Sequence, residues 1–272
     1  MPLSIGHISY LNCVPFFHYL RDVGFDGEIV PGVPSQLNEM LATGGIDVSP
    51  SSSFEYGRNW RRYMLLPRVS ISSFGAVRSV LLFSNVPIEE LEGTSIALTG
   101  ESATSVHLVQ VLLREFLGYE RIDCRVPSQP MEEVIANGGT ALLIGDRALR
   151  EARQSRSRYV YDLGSLWQDF TGLPFVFALW IIREEVALRQ KDDLKRLENQ
   201  LEASRSRAFA DLGMVADEVP ERHWMARTDL VDYWRSMSYD FTEDHRQGLL
   251  LYFRLLVKYG FLPEVPDLRF FS

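Results

Sequence analysis

The residues best suited to chemistry sit in polar turns that follow short apolar runs. The first turn lies in Gly6-His7-Ile8-Ser9-Tyr10-Leu11-Asn12-Cys13-Val14-Pro15. Leu3 and Ile5 begin a strand, and Pro15 opens an apolar run at helical spacing through Phe16, Phe17 and Leu20. A strand entering a helix through a polar turn places N–H groups and side chains at the strand's carboxyl end, where open α/β sheets bind small ligands. Asn12 lies on this turn. Its amide can cap the helix, or it can donate to and accept from a ligand without carrying charge. His7 can hold the same turn together or shuttle protons.

A second stretch, Thr99-Gly100-Glu101-Ser102-Ala103-Thr104-Ser105, precedes a helix with an apolar face of Leu108, Val109, Leu112, Leu113 and Phe116, stopped by Gly118. Unpaired N–H groups, the helix dipole and the hydroxyls together favour a carboxylate or phosphate. Capping by Thr104 or Ser105 needs one hydroxyl, and this loop holds four. It lacks the Gly-Lys-Ser/Thr of a nucleotide-binding P-loop. Ser51, Ser52 and Ser53 follow a short strand over 46–49; Ser53 can cap the next helix or meet a ligand. Gly145 and Asp146 end a strand over 141–144. Gly145 lets backbone approach a ligand, and Asp146 reads as a helix cap rather than a catalytic group.

The elements that must position these turns repeat a βαβ rhythm, which suggests parallel sheets. A strand over 28–30, a helix with Leu37, Met40 and Leu41 ended by Gly44-Gly45, and the strand 46–49 form one unit. The strand 122–126, a helix over 131–137 ended by Gly138-Gly139, and the strand 141–144 echo it. The apolar strand 79–84 followed by a fresh βα unit from Thr94 reads as a crossing between two lobes. The run Leu173-Pro174-Phe175-Val176-Phe177-Ala178-Leu179-Trp180-Ile181-Ile182 reads as the return. The expected division is 1–85 plus 177–272 for one lobe, with the carboxyl-terminal helices packed on it, and 86–176 for the other. Phe175 at the return crossing belongs to the core or faces the ligand.

Composition excludes several classes. A net charge of −8 without a basic stripe argues against a nucleic-acid partner. A local field can still attract a small anion. Cys13 and Cys124 are far apart and read as small apolar residues in a reducing compartment. There is no HExxH, CxxC, GxSxG or GxGxxG, so neither metal nor dinucleotide cofactor is indicated. No apolar run reaches bilayer length, and the amino terminus lacks secretory-signal features. The expectation is a cytoplasmic protein acting on a small molecule, without membrane partner or cofactor.

The opening motif resembles the amino-terminal signature of the chorismate dehydratases of the futalosine route to menaquinone. The likeness continues in order through Gly44 and Asp47, Ser79-Val80, Thr104-Ser105-Val106, Leu143-Ile144-Gly145-Asp146, Asp162-Leu163-Gly164, Trp167, and Thr171-Gly172-Leu173-Pro174-Phe175-Val176-Phe177-Ala178. The resemblance implies a two-lobed α/β fold like type II periplasmic binding proteins, with a ligand cleft between lobes. It implies removal of water from chorismate to give 3-[(1-carboxyvinyl)oxy]benzoate. One departure is visible: family members can carry an arginine where this chain has Ala103. The hydroxyl loop, or another basic residue, then has to hold the carboxylate here.

That reaction aromatises a ring and needs an oriented leaving hydroxyl, stabilisation of developing charge and a proton acceptor. On the resemblance, Asn12 and Ser79 hydrogen-bond the substrate at the reacting centre, and Ser102, Thr104 and Ser105 take a carboxylate. The base is open: an asparagine cannot serve as a carboxylate would, and a substrate carboxylate acting on its own ring proton is one route. Two other readings stand beside it. One is the 1,4-dihydroxy-6-naphthoate synthase of the same pathway. The other is a small-anion-binding protein without catalysis.

Overall fold

The computed structural model describes residues 2–272. Its strands are β1 (Ser4–Ile8), β2 (Glu28–Gly32), β3 (Val48–Ser52), β4 (Tyr63–Ser73), β5 (Val80–Ser84), β6 (Ser95–Ala97), β7 (Asp123–Arg125), β8 (Thr140–Ile144), β9 (Tyr159–Asp162), β10 (Phe175–Arg183) and β11 (Ser238–Asp240). They form a six-stranded sheet, β11-β4-β10-β3-β1-β2, and a five-stranded sheet, β7-β6-β8-β5-β9. The chain divides into two compact units. One runs to Ile71 and adds Ala178–Phe241 and Asp267–Ser272; the other is Ser72–Phe177 with Thr242–Pro266.

In the first unit β1 pairs in parallel with β2 and β3, as the βαβ rhythm requires, but β10 returns antiparallel to β3. The sheets are therefore mixed rather than purely parallel. The helix Pro34–Thr43 ends on Gly44 at φ 87°, a left-handed position that glycine takes without strain. Phe16 and Phe17 pack against Trp180 with ring centroids 5.2 and 5.7 Å away, and Phe16 also meets Tyr239 edge-on at 5.4 Å. Such aromatic pairs contribute about 0.5–1.5 kcal/mol each beyond the area they bury.

In the second unit β6 pairs in parallel with β7 and β8, while β5 is antiparallel to β8 and β9. One core joins Leu81, Phe83, Ala97, Met131, Ile135, Ala141, Leu143 and Ala148. Another gathers Trp167, Phe175, Phe177 and Tyr252, with Phe175 centroids 4.7–5.2 Å from the other three.

Both ends of the expected division shift. β5 was placed with residues 1–85, but it hydrogen-bonds to β8 and β9 and so belongs to the second sheet. The first passage between units falls at the end of β4, a strand that the sequence reading did not foresee. The helix Glu243–Lys258 was placed on the first lobe, yet it packs in the second unit: Tyr252 Oη donates to the Thr104 carbonyl at 3.0 Å. A Cβ on Gly248 would stand 2.2 Å from the Pro174 carbonyl oxygen, so only glycine permits that approach. Among the described residues no helix is long and apolar enough to cross a membrane.

Candidate active site

Each sheet gathers its polar turns at one edge. In the first unit the parallel strands β1, β2 and β3 end at Ile8, Gly32 and Ser52, and antiparallel β10 sets Ala178 opposite Ser52. Asn12 and Ser53 therefore follow strand ends on the same edge. Leu11–Cys13 is a single tight turn, held by the Cys13 N–H to the Tyr10 carbonyl at 3.0 Å and by Trp234 Nε1 to the Leu11 carbonyl at 2.7 Å.

Asn12 does not cap the helix Val14–Phe17. Its Oδ1 is buried with no hydrogen-bond partner. A buried amide oxygen left unpaired costs about 1–3 kcal/mol, so the position carries a cost that folding does not require. His7 stacks on Phe17 at 4.0 Å, and burial pulls its pKa down to about 4. It is neutral near pH 7 and serves the turn through its ring.

Ser52, not Ser53, caps the helix Ser53–Asn59. Its Oγ accepts from the Glu55 N–H at 3.1 Å and from Asn38 Nδ2 at 3.4 Å. The expected cap is displaced by one residue because β3 runs on through Pro50 to Ser52, beyond the predicted 46–49. Ser53 is fully buried in the first turn of that helix.

In the second unit β6 and β8 end at the same edge where β5 begins and β9 ends. That edge brings together Ser79, Ser102, Thr104, Ser105, Gly145 and Asp146. The Gly145 N–H donates to the Ser79 carbonyl at 2.7 Å, tying two of them directly. Gly145 takes φ 59°, which its lack of a side chain allows. Asp146 lies inside the first turn of the helix Gly145–Gln154, and the expected cap is not made; Ile144 holds that position without a side-chain bond.

At the hydroxyl loop the cap of the helix Ala103–Val111 is Ser102 rather than Thr104 or Ser105. Its Oγ accepts from the Ser105 N–H at 3.3 Å and stands 3.1 Å from Ser105 Oγ. Two hydroxyls sharing one internal hydrogen bond retain one proton for an outside acceptor. Glu101 would repel an anion, but Arg147 Nη1 lies 3.2 Å from its Oε1, and Arg147 also grips both oxygens of Glu132 at 2.8–2.9 Å. Those carboxylates hold the guanidinium charged beyond the usual arginine range.

Phe175 opens β10, whose Ala178 lies opposite Ser52. Phe175 itself is 1% exposed inside the aromatic core. Sequence reasoning missed the role of Asp162, whose carboxylate accepts four backbone N–H groups: Val77, Arg78, Gly164 and Ser165, at 2.6–3.1 Å. Burial still raises its pKa above the ordinary carboxylate value. The triplet Asp162-Leu163-Gly164 was visible, but nothing in it shows that a loop 84 residues earlier folds onto the acid.

A model of the family described as menaquinone biosynthesis matches residues 3–258. The chain is 34% identical over 263 residues to a chorismate dehydratase of Thermus thermophilus, covering 91% of this chain and 93% of the relative. The chain belongs to the menaquinone biosynthesis family. A chorismate dehydratase of Campylobacter jejuni is 32% identical over 192 residues, 68% of this chain and 70% of that one. A 1,4-dihydroxy-6-naphtoate synthase of Thermus thermophilus is 28% identical over 155 residues, 55% of this chain and 53% of the other. In fold the chain is similar to the alkanesulfonate-binding protein of Xanthomonas axonopodis, with a TM-score of 0.73 at 13% identity, covering 98% and 96% of the two chains. The architecture of this family member is thus the two-lobed α/β fold of periplasmic binding proteins.

Proposed function

We infer that the protein is a chorismate dehydratase, a hydro-lyase that removes water from chorismate to give 3-[(1-carboxyvinyl)oxy]benzoate on the futalosine route to menaquinone. The observation that carries this is the 34% identity to the Thermus chorismate dehydratase across 91% of this chain and 93% of that enzyme. The naphthoate synthase likeness is weaker and spans 55% of the chain. A cytoplasmic site of action belongs to the same reading and is supported by the biosynthetic relatives.

In this reading Asn12 and Ser79 hydrogen-bond the substrate where the ring loses its hydroxyl and hydrogen. The unpaired Oδ1 of Asn12 supports its part, because a bound hydroxyl would satisfy it. Ser102, Thr104 and Ser105 take a substrate carboxylate at the start of their helix, supported by the spare proton of the Ser102–Ser105 pair. Gly145 and Asp146 act beside Ser79, with the Gly145 N–H fixing the Ser79 backbone. Ser53 completes the edge that carries Asn12. Phe175 acts in this reading from behind the site, as part of the aromatic core. Asn12 cannot serve as a carboxylate base would, and burial makes His7 a weak one; a substrate carboxylate acting on its own ring proton is one route.

The test is incubation of the purified protein with chorismate and mass analysis of the product. Loss of one water with formation of an aromatic ether is the expected outcome. Unchanged chorismate with demonstrably folded protein overturns the reading and makes the naphthoate synthase substrate the next to try.

A further inference from the structure

We propose that Arg78 is a carboxylate-binding residue of the substrate site and sets the preference of this enzyme for a dicarboxylate. The inference rests on the chorismate reading above.

Arg78 has φ 60°, a left-handed backbone that side-chain-bearing residues rarely adopt. The conformation is imposed from beneath. Asp162 accepts from the Arg78 N–H at 2.6 Å and the Val77 N–H at 3.1 Å. Gly164 lies so close under this loop that a Cβ there would be 2.5 Å from the Gly75 carbonyl oxygen. On the following residue, the Ser79 carbonyl accepts from Gly145. The fold thus commits a half-buried carboxylate and two glycines to holding an arginine in an unfavourable conformation, and such backbone outliers cluster where a site needs them.

What the outlier presents is a cation. Arg78 is exposed, and among the described residues its guanidinium has no ion pair or hydrogen bond. Two other arginines near this edge are taken up, Arg147 by Glu101 and Glu132 and Arg125 by Asp123. Arg78 directly precedes Ser79, at the edge that carries the hydroxyl loop. Chorismate brings two carboxylates, and the hydroxyls at one helix start suit one of them. A chain of net charge −8 attracts a dianion only through a local positive field. A guanidinium fork matches a carboxylate in shape as well as charge.

The experiment compares wild type with Arg78→Gln, Arg78→Lys and Arg78→Gly, reading KM, kcat and the salt dependence of KM with chorismate, plus calorimetric binding of chorismate. Glycine keeps the left-handed backbone while removing the charge, so it separates the guanidinium from the fold. We expect KM to rise about tenfold or more in Arg78→Gln and Arg78→Gly with kcat largely kept. Arg78→Lys should recover part of the loss. The wild-type KM should rise with salt, and that dependence should flatten in the uncharged variants. If wild type turns over chorismate and Arg78→Gly binds it within twofold of wild type, the inference about Arg78 fails alone. A wild type that neither converts nor binds chorismate overturns both this inference and the functional reading. One that binds without converting leaves the binding comparison to decide Arg78.

Discussion

Arg147 Nη1 lies 3.2 Å from Glu101 Oε1, so the one acidic residue of the hydroxyl loop is neutralised by the helix that follows β8. With Arg147 40% exposed, the pair contributes little to stability, about 0–1 kcal/mol. Its consequence is for charge beside the loop. Arg147→Met removes the cation beside Glu101 and Glu132, next to the loop where a substrate carboxylate would bind. The repulsion is on the order of 1 kcal/mol, or about fivefold in KM. Glu101→Gln in the same background should recover part of the loss, since the Glu101 charge is then gone while Glu132 keeps its own. Steady-state KM across the four members of this cycle checks it, and four equal values would show that the pair has no bearing on binding.

Asn12 separates stability from activity. Its Oδ1 is buried and unpaired, while the turn is held by backbone and Trp234. Removing an unsatisfied acceptor costs little, so Asn12→Ala should melt within about 1 kcal/mol of wild type. If Asn12 meets the substrate only as charge develops, kcat should fall by about 100-fold or more. Thermal melts and kcat on the same preparation decide the matter; full turnover by a folded Asn12→Ala enzyme would remove Asn12 from the site.

Much of this was legible along the chain. The strand–helix order of both βαβ units, the glycine stops at Gly44 and Gly138, and the turns bearing Asn12 and residues 99–105 stand where apolar spacing put them. These are local signals, carried by residues near in sequence. The misses are non-local or compete within one turn. β5 has the apolar run of a strand, but which sheet it joins depends on partners about 60 to 80 residues away, ~60 for β8 and ~80 for β9 by the paired positions. Caps moved from Thr104 or Ser105 to Ser102, and from Ser53 to Ser52, because several hydroxyls in a row can each serve and backbone geometry selects one. The packing of Phe175 on Tyr252 is hidden in the same way as the pairing of β5, because that partner stands 77 residues later in the chain. The left-handed Arg78 leaves no trace in sequence at all.

His7 gives a pH dependence with a definite sign. Burial lowers its pKa from 6.5 to about 4, so between those values the unfolded chain binds the proton that the folded chain refuses. The His7 contribution is fully present above the unfolded value and is lost as pH falls through the folded one. Its size is on the order of 3 kcal/mol at most. His7→Phe keeps an aromatic ring against Phe17 without the titration. Denaturant unfolding at pH 7 and pH 4.5 should therefore show a smaller acid loss in His7→Phe than in wild type. Equal losses would mean that other groups dominate the acid limb.

Ser102 makes cap and ligand roles oppose one another. Its Oγ accepts the Ser105 N–H, so Ser102→Ala should cost about 1 kcal/mol of stability. Aspartate caps a helix as well as serine does and also favours the dipole's positive end. Ser102→Asp should hold or raise the melting temperature. It replaces a hydroxyl that can donate to a carboxylate with a charge that repels one, so its KM for chorismate should rise more than that of Ser102→Ala. If the residue were a cap and nothing more, the aspartate variant would be the better enzyme of the two. Melting temperature and KM moving in opposite directions across Ala and Asp is the signature of an anion held at this helix start, and it is read without assuming which base takes the ring proton.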